Sequence, residues 1–358
     1  MMGVTRSGLS DEEQAISDAM AASFAGYINQ AGIKDENGNV LTLEESTEGV
    51  YQAGSYYDYI VNVIEVSLNN FLSDTEFPYD SSASSGNDRG PGGMGGFDGP
   101  RGNGDFARPK GDGDFGGFGG PDDIKAGDKE FQGMNGKVSY EDLDDIFRTE
   151  TSNGIVISGT YETASDYIDA LNANGTWVTY DAAANTAAIT SVSDFVKAFK
   201  GVSKNLGAFD QLDAGQGENE LFGYGDGNGA HFDGMLANIL KELENSYASA
   251  FEEDLQKTDA VGYTVAQRLN MYTPLYYLLE SEEGYRTSTP AKHWRIRTGI
   301  AQSDTSLTTE VNLALALQNY DGVETVDFAT IWGQQHVKAE RTGNSTANFI
   351  TWVNECMK

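Results

Sequence analysis

The fold is decided by residues 293–336, which read HWRIRTGIAQSDTSLTTEVNLALALQNY over 293–320 and VDFATIWGQQH over 326–336. The first string begins as a short extended run, and an amphipathic helix is expected from Thr309 to Gln318. Residues 323–332 predict a second strand, and residues 345–357 a closing helix. The order strand, helix, strand, helix is typical of a parallel sheet and predicts an α/β fold.

Two loops follow the two expected strands, and each holds a residue able to do chemistry. The loop 301–305 holds Asp304, and the loop 333–336 holds His336. Functional residues of open α/β sheets gather at the carboxyl ends of the strands, and an acid followed by a histidine is the end of the hydrolase order Ser, Asp, His. The carboxylate would orient the imidazole, which would take and return a serine proton. The alternative interpretation makes Asp304 the N-cap of the next helix and His336 a surface residue.

The remainder of the chain predicts packing elements and one unusual insertion. Ser10 with Glu13 is a capping signature and opens a helix that runs to about Gln30. Residues 86–120 contain 15 glycines in 35 positions, which predicts a disordered loop, with a Phe–Gly interaction tract as the alternative. The other expected elements are helices at 56–72, 164–171, 193–203, 231–244 and 261–279, a strand at 154–159 and a hairpin of 176–180 with 186–190.

This pattern divides the chain into four regions. They are a helical segment (1–80), a Gly-rich disordered insertion (81–135), a mainly helical lid or insertion domain (136–285) and a C-terminal hydrolase segment (286–358). Only the last region carries the candidate acid and histidine.

Composition excludes several classes of partner. The chain has 23 Lys and Arg against 55 Asp and Glu, a net charge of −32, which repels the phosphates of nucleic acid. Its single cysteine, Cys356, allows neither an intramolecular disulfide nor a thiolate metal cage. No apolar run approaches the roughly 18 residues that cross a bilayer, and the first residues lack the apolar core of a signal peptide. We expect no cofactor, metal or membrane partner, and the sequence assigns no compartment.

The same strings resemble a known family. Residues 293–336 are similar to the C-terminal end of the bacterial subtype B tannase-like esterases, α/β-hydrolases with a large lid domain. The similarity extends to GSYYDYI (54–60), GTWVTYD (175–181) and KNLGAFDQLDAGQGENELFGYGDGNGAHFD (204–233). The resemblance covers about three-quarters of the chain. It implies hydrolysis of aromatic esters, gallate esters among them, by a Ser-His-Asp triad.

The resemblance also implies roles for individual residues. His336 matches the catalytic histidine, and Lys204 and Glu218 match positions that bind the galloyl hydroxyls. The family carries Asp-x-Asp-Thr where this chain has Gln302-Ser303-Asp304-Thr305, so the first acid, the triad acid, is replaced by Gln302. Either Asp304 takes the triad role or the usual acid is lost; we favour Asp304. A lysine and a carboxylate can exchange hydrogen bonds with phenolic hydroxyls.

The nucleophile is the missing part. No Gly-x-Ser-x-Gly elbow occurs anywhere in the sequence. The first 20 residues resemble an internal family segment that follows the elbow, so we interpret the chain as the C-terminal part of a longer or split esterase. We expect this polypeptide alone to be inactive and poorly folded, and its partner, if the enzyme is split, to be the N-terminal half.

Two binding functions fit the sequence poorly, and a third function is a serious rival. Residues 225–230 fit the dinucleotide-binding pattern G-x-G-x-x-A, but no β-branched strand precedes them. The same loop could be a calcium site, but it lacks the later glutamate that such a site needs. The rival is a secreted, non-catalytic binding or scaffold protein derived from a hydrolase. It predicts no pairing of Asp304 with His336.

Overall fold

The computed structural model describes residues 9–81, 159–197, 212–215, 219, 222–223, 230–302, 305–334 and 339–358, together with the backbone of two strands at 130–133 and 136–139. The helices are α1 (Asp11–Ala31), α2 (Ser55–Asp74), α3 (Ala164–Leu171), α4 (Val192–Phe195), α5 (Gly234–Glu242), α6 (Ala248–Leu255), α7 (Val265–Tyr272), α8 (Pro274–Leu278), α9 (Leu307–Gln318) and α10 (Ser345–Cys356). The strands are β1 (Tyr79–Asp80), β2 (Glu130–Gly133), β3 (Gly136–Ser139), β4 (Thr160–Tyr161), β5 (Val178–Asp181), β6 (Thr186–Ile189), β7 (His293–Gly299) and β8 (Thr325–Ile331).

Helix α1 begins and ends where its sequence signals lie. The Ser10 side chain accepts from the Glu13 backbone, and the Glu13 side chain accepts from the Ser10 backbone, which confirms the predicted capping box. Gly32 ends the helix in the left-handed conformation, with φ of 65°. The second predicted helix is also confirmed as α2.

The structure confirms the predicted hairpin and the helix that precedes it. Strands β5 and β6 pair antiparallel, with Val178 opposite Ile189. The Asn172 side chain, just after α3, accepts from the backbone N–H groups of Trp177 and Val178, both at 3.0 Å. The hairpin is therefore fixed to the end of α3.

The predicted parallel pair is present and has two unlike faces. Strands β7 and β8 pair in parallel over seven positions, from His293 with Thr325 to Gly299 with Ile331. Because side chains alternate along a strand, one face presents Trp294 and Ile296, which pack against the main core. The other face presents arginines.

Two hydrophobic clusters form the core, and α1 belongs to both. The main cluster combines residues of α1, α2, α3, the hairpin, α8, α9 and the end of β8. The second cluster is built by α5, α6 and α7 around Leu236 and Phe251. Helix α1 contributes Ile16 to the second cluster and Ala25 and Ile28 to the main one.

Several sequence predictions are wrong in detail. The helix predicted at 261–279 is two helices, α7 and α8, because Pro274 has no N–H to continue α7 and occupies the first turn of α8. The helix predicted from 231 begins at Gly234, after its N-cap Asp233, and α6 was missed. Helix α9 begins at Leu307 and is buried through 314–317, a full turn, so it lacks the expected exposed face.

Other predictions lie wholly or partly outside the described residues. They are the Gly-rich tract, most of the strand at 154–159 and the end of the helix at 193–203, of which α4 is the described part. The division into four regions stays a prediction.

A buried hydrogen bond joins α2 to α9 and provides a stability test. The Tyr56 hydroxyl donates to Asn312 Oδ1 at 2.7 Å, and both side chains are buried. We expect Asn312→Leu to lower the free energy of unfolding by about 1–3 kcal/mol, because the hydroxyl loses its acceptor away from water. Adding Tyr56→Phe should restore most of that loss. Urea unfolding measures both, with Asn354→Leu on the exposed side of α10 as control. A double variant no better than Asn312→Leu would contradict this account.

Candidate functional site

The two predicted functional loops start side by side. The Ile300 N–H donates to the Ile331 carbonyl at 2.9 Å, and the Ala301 N–H donates to the Gln334 carbonyl at 3.0 Å. The first bond extends the parallel ladder by one residue, and the second joins the two loops beyond the strands. The carboxyl ends of β7 and β8 therefore meet at one edge of the sheet, as open α/β sheets require of a site.

The first loop is closed by a buried glutamine. Gln302 is 2% exposed, and its Oε1 accepts from the Thr305 N–H at 3.2 Å. Its Nε2 donates to Glu310 Oε1 in α9. The Gln302 side chain thus spans residues 303 and 304 and ties the loop to the helix that follows.

Glu310 is a buried carboxylate that the sequence reasoning missed. Its second oxygen accepts from the Thr298 hydroxyl of β7 at 2.5 Å, so the carboxylate links strand, loop and helix. Two donors offset the cost of burying the charge. The sequence held no local signal for this role, because α9 carries other polar residues, such as Thr309 and Asn312, beside Glu310.

The second loop is closed by a reciprocal pair of hydrogen bonds. The Glu340 N–H donates to Gln334 Oε1 at 2.9 Å, and Gln334 Nε2 donates to the Glu340 carbonyl at 2.7 Å. Both residues are buried. Residues 335–338, which include His336, form the part of this loop outside the described residues.

The far end of the second loop is anchored by charge. Arg295 Nη2 of β7 donates to Glu340 Oε2 at 2.8 Å, Nη1 lies 2.7 Å from Oε1 as an ion pair, and the hydrogen bond with Glu340 raises the pKa of Arg295. Asn348 of α10 donates to the same carboxylate at 3.1 Å. Beside them Arg297 binds Asp327 at 2.5 Å. The charged hydrogen bonds from Arg295 and the bond from Asn348 hold the Glu340 carboxylate against β7.

The four residues that the sequence singled out, Asp304, His336, Lys204 and Glu218, all lie outside the described residues. The loops that hold Asp304 and His336 are joined at their bases by the bonds given above. The alternative that made Asp304 a helix cap is wrong, because the N-cap of α9 is Ser306. The structure leaves the roles of all four as predictions.

The flanks of Glu218 are held in the second cluster. Asn219 is fully buried, and its Nδ2 donates to the Asp213 carbonyl at 3.0 Å. Buried His231 lies between Asp254 Oδ2, 2.7 Å from its Nδ1, and the Leu212 carbonyl, 3.0 Å from its Nε2. These contacts join the two ends of the segment 212–231. His231 is used for packing there, in a different cluster from the two loops.

Two further observations concern ligands and membranes. Among the residues that the structure describes, no group of three or more His, Cys, Asp or Glu could hold a metal ion. In the same part of the chain, no helix is both long and apolar enough to cross a bilayer.

A parallel pair of strands packed on helices, with polar loops at its carboxyl ends, is an α/β arrangement. Solved tannase structures are similar to this chain. The chain is 22% identical to tannase from Lactobacillus plantarum in its orthorhombic crystal, with a TM-score of 0.51 over 98% of this chain and 47% of that chain. A second structure of that tannase is 21% identical, with a TM-score of 0.52 over 98% of this chain and 47% of that chain. A tannin acyl hydrolase in complex with 3,4-dihydroxybenzoate is 21% identical, with a TM-score of 0.52 over 98% of this chain and 49% of that chain.

The chain therefore has a tannase-like fold and spans about half the length of the tannase structures it matches. No family model and no curated protein matches it. At this level of identity the comparison establishes the fold, and the roles of individual residues are argued separately below.

The closure of the second loop can be tested without any activity. We expect Gln334→Ala to speed hydrogen exchange of the Glu340 amide, because that N–H loses its acceptor. An unmade buried hydrogen bond costs about 1–3 kcal/mol, so exchange should rise roughly 5- to 150-fold. Site-resolved exchange measures it, with Gln318→Ala at the exposed end of α9 as control. Unchanged exchange at Glu340 would refute the closure.

The His231–Asp254 contact predicts a pH effect on stability. Burial raises the pKa of Asp254, but hydrogen bonds from Lys257 and from His231 outweigh it, so the pKa is lowered. A lowered carboxylate pKa adds stability above the unfolded value, near 3.9, that is lost as pH falls through the folded value. Asp254→Asn should therefore flatten the fall in urea midpoint below about pH 4. Asp169→Asn, at an exposed position, should leave the curve unchanged. Parallel curves for the two variants would contradict the assignment.

Proposed function

We propose that this chain supplies the acid and the histidine of a serine carboxylic ester hydrolase of the tannase type. The observation that carries the proposal is the backbone bond from Ala301 to Gln334, which joins the bases of the loops holding Asp304 and His336. Both loops are also closed by buried glutamine side chains. Such closure suits residues that must keep a fixed geometry during a reaction.

The proposed chemistry is acyl transfer through a serine supplied outside this sequence. His336 would take the serine proton as its oxygen attacks the ester carbonyl, and would return that proton to the departing alcohol. Water would then attack the acyl-enzyme with His336 again as base. Asp304 would accept a hydrogen bond from the other ring nitrogen and stabilise the imidazolium.

The structure supports Asp304 over its neighbour as the acid. Gln302 stands where the family carries its first aspartate, and an amide cannot stabilise an imidazolium by charge. Its side chain is already bound to Glu310 and to the Thr305 N–H. Gln302 therefore has a structural role, and the nearest carboxylate in the loop sequence is Asp304.

An aromatic ester is the proposed substrate. One of the similar structures is a tannin acyl hydrolase in complex with 3,4-dihydroxybenzoate. By resemblance, Lys204 and Glu218 would bind the phenolic hydroxyls of such a ring, one as donor and one as acceptor. Near Glu218 in sequence, Asn219 is held by a hydrogen bond from its Nδ2 to the Asp213 carbonyl. The proposal includes the chain's status as part of a larger enzyme, inactive without the nucleophile.

The test needs two steps, with methyl gallate and methyl benzoate as substrates. The purified chain should hydrolyse neither, because it has no serine elbow. Expressed with an upstream reading frame that carries an in-frame Gly-x-Ser-x-Gly, it should hydrolyse methyl gallate. His336→Ala should then lower kcat/KM by at least about 10³-fold, whereas His293→Ala, at the opposite end of β7, should not.

The proposed aromatic substrate is tested separately, with the chain expressed together with the upstream reading frame. Lys204→Ala and Glu218→Ala should each lower kcat/KM for methyl gallate about tenfold and leave methyl benzoate unchanged, because only the gallate ring carries the hydroxyls. Equal effects on both esters would contradict the galloyl site. Turnover that survives His336→Ala would overturn the proposed mechanism.

A further inference from the structure

Buried His231 has a bonding partner at each ring nitrogen, and the proposed mechanism uses none of these groups. Its Nδ1 lies 2.7 Å from Asp254 Oδ2, and its Nε2 lies 3.0 Å from the Leu212 carbonyl oxygen. The ring stacks on Phe251, with centroids 3.9 Å apart. His231 is 3% exposed, so both contacts are made away from water. Asp254, His231 and Leu212 together are named the His231 bridge below.

The two contacts define the form of the ring that makes both of them. A backbone carbonyl only accepts hydrogen bonds, so Nε2 must carry a hydrogen to bind Leu212. Burial raises the pKa of Asp254, but hydrogen bonds from Lys257 and from His231 outweigh it, so this carboxylate is ionised near neutral pH and also only accepts. Nδ1 must therefore carry a hydrogen as well. Only the imidazolium makes both bonds of the His231 bridge.

The charged group that the His231 ring contacts is Asp254. Its Oδ1 accepts from Lys257 Nζ at 2.7 Å, which leaves Oδ2 for the ring and for the His231 backbone N–H, at 3.0 Å. Charged groups of the neighbouring elements bind other partners: Asp233 caps α5, Arg268 of α7 donates to the Phe222 carbonyl, and Glu12 of α1 accepts from Asn245. A carboxylate holds a donor more strongly than a neutral carbonyl does, so a neutral ring would keep its Nδ1 hydrogen and lose the one on Nε2.

The bond to Leu212 closes a circuit of hydrogen bonds around Asn219. Asn219 Nδ2 donates to the carbonyl of Asp213, the residue after Leu212, at 3.0 Å. The Asn219 carbonyl accepts from the N–H of Ala230, the residue before His231, at 3.4 Å. Asn219 is therefore bonded to both ends of the segment 212–231, and the His231 bridge sets how far apart those ends lie.

Close backbone contact at Gly223 makes this circuit tight. The Gly223 N–H donates to the Asn219 carbonyl at 3.0 Å, and a Cβ on Gly223 would lie 2.0 Å from the Ala230 carbonyl oxygen. Such close packing leaves Asn219 little room to shift while the circuit is closed. Asn219 directly follows Glu218 in sequence, so the circuit restrains the chain next to that carboxylate.

We propose that His231 is a positioning residue for the substrate: as an imidazolium it holds Leu212 against Asp254 and so keeps Glu218 in place for the phenolic ring. When Nε2 loses its proton to water, Nε2 and the Leu212 carbonyl are two acceptors in contact, and the His231 bridge opens there. The inference rests on the proposed function only in assigning Glu218 to the ring hydroxyls. The imidazolium and its bond to Leu212 stand without it.

The His231 bridge is tested by nitrogen-15 NMR of the full chain in a pH titration. As the pH rises, His231 should lose its hydrogen from Nε2, while Nδ1 keeps its own. Protection of the Ala230 and Gly223 amides, corrected for intrinsic exchange, should fall at least about tenfold with the same midpoint. His293, on β7, is the internal control, and its titration should leave both amides unchanged. Loss of the Nδ1 hydrogen first, or amides that do not follow Nε2, would overturn the bridge.

The positioning role is tested with two amide variants that each keep one bond. His231→Gln places an amide nitrogen near the position of Nε2 and can donate to Leu212 at every pH, whereas His231→Asn reaches only Asp254. In the complex with the upstream reading frame, the measured quantity is kcat/KM for methyl gallate divided by kcat/KM for methyl benzoate, in which titration of His336 cancels. His231→Asn should lower this ratio about tenfold at every pH, and His231→Gln should keep it. The unaltered chain should fall from the second value to the first as Nε2 loses its proton.

The remaining outcomes separate this inference from the proposed function. Equal ratios in His231→Asn and His231→Gln, or an unaltered chain that keeps the His231→Gln ratio at high pH, overturn the positioning role. If Glu218→Ala itself leaves the ratio unchanged, the assignment of Glu218 to the ring hydroxyls fails, and the NMR titration alone decides whether the bridge exists. Urea unfolding checks that both variants are folded, so that a difference in ratio reflects the bond to Leu212.

Discussion

The parallel pairing of β7 with β8 is the constraint on which the candidate site depends. In a parallel pair both strands end at the same edge, so two loops 32 residues apart in sequence start within one hydrogen bond of each other. A shift of β7 by one residue would exchange its apolar and charged faces relative to β8. It would take Trp294 out of the core and place Arg295 in it. The register that suits the core is therefore also the register that brings the loops together.

Buried amides, rather than charges, close both loops. An amide side chain can donate and accept at the same time, so Gln302 and Gln334 each bridge two groups that a carboxylate could bind only in part. The charged groups, Glu310 and Arg295 with Glu340, lie one step further out and hold the amides or the backbone beside them.

The sequence predicted the elements whose signals are local. The capping box at Ser10, the hairpin at β5 and β6 and the strands β7 and β8 all have short-range causes, and all were confirmed. The split at Pro274 was missed because the apolar spacing continues on both sides of it. The roles of Gln302 and Glu310 had no local signal, since only the folded chain places them in contact. Asp304 and His336 rest on their places after the two strands and on resemblance, Lys204 and Glu218 rest on resemblance alone, and all four stay predictions.

Helix α1 is one continuous element that belongs to both hydrophobic clusters, and this links their movements. Ile16 and Ala25 are nine residues apart, so the anchor points are about 13 Å apart along a rigid rod. A rod held at both ends transmits a tilt and cannot absorb it as a flexible linker would. Any movement of the second cluster that reoriented the Glu218 segment would therefore load the main core at Ala25 and Ile28. The two clusters are therefore mechanically coupled through α1, and strain introduced in one cluster would be measurable in the other.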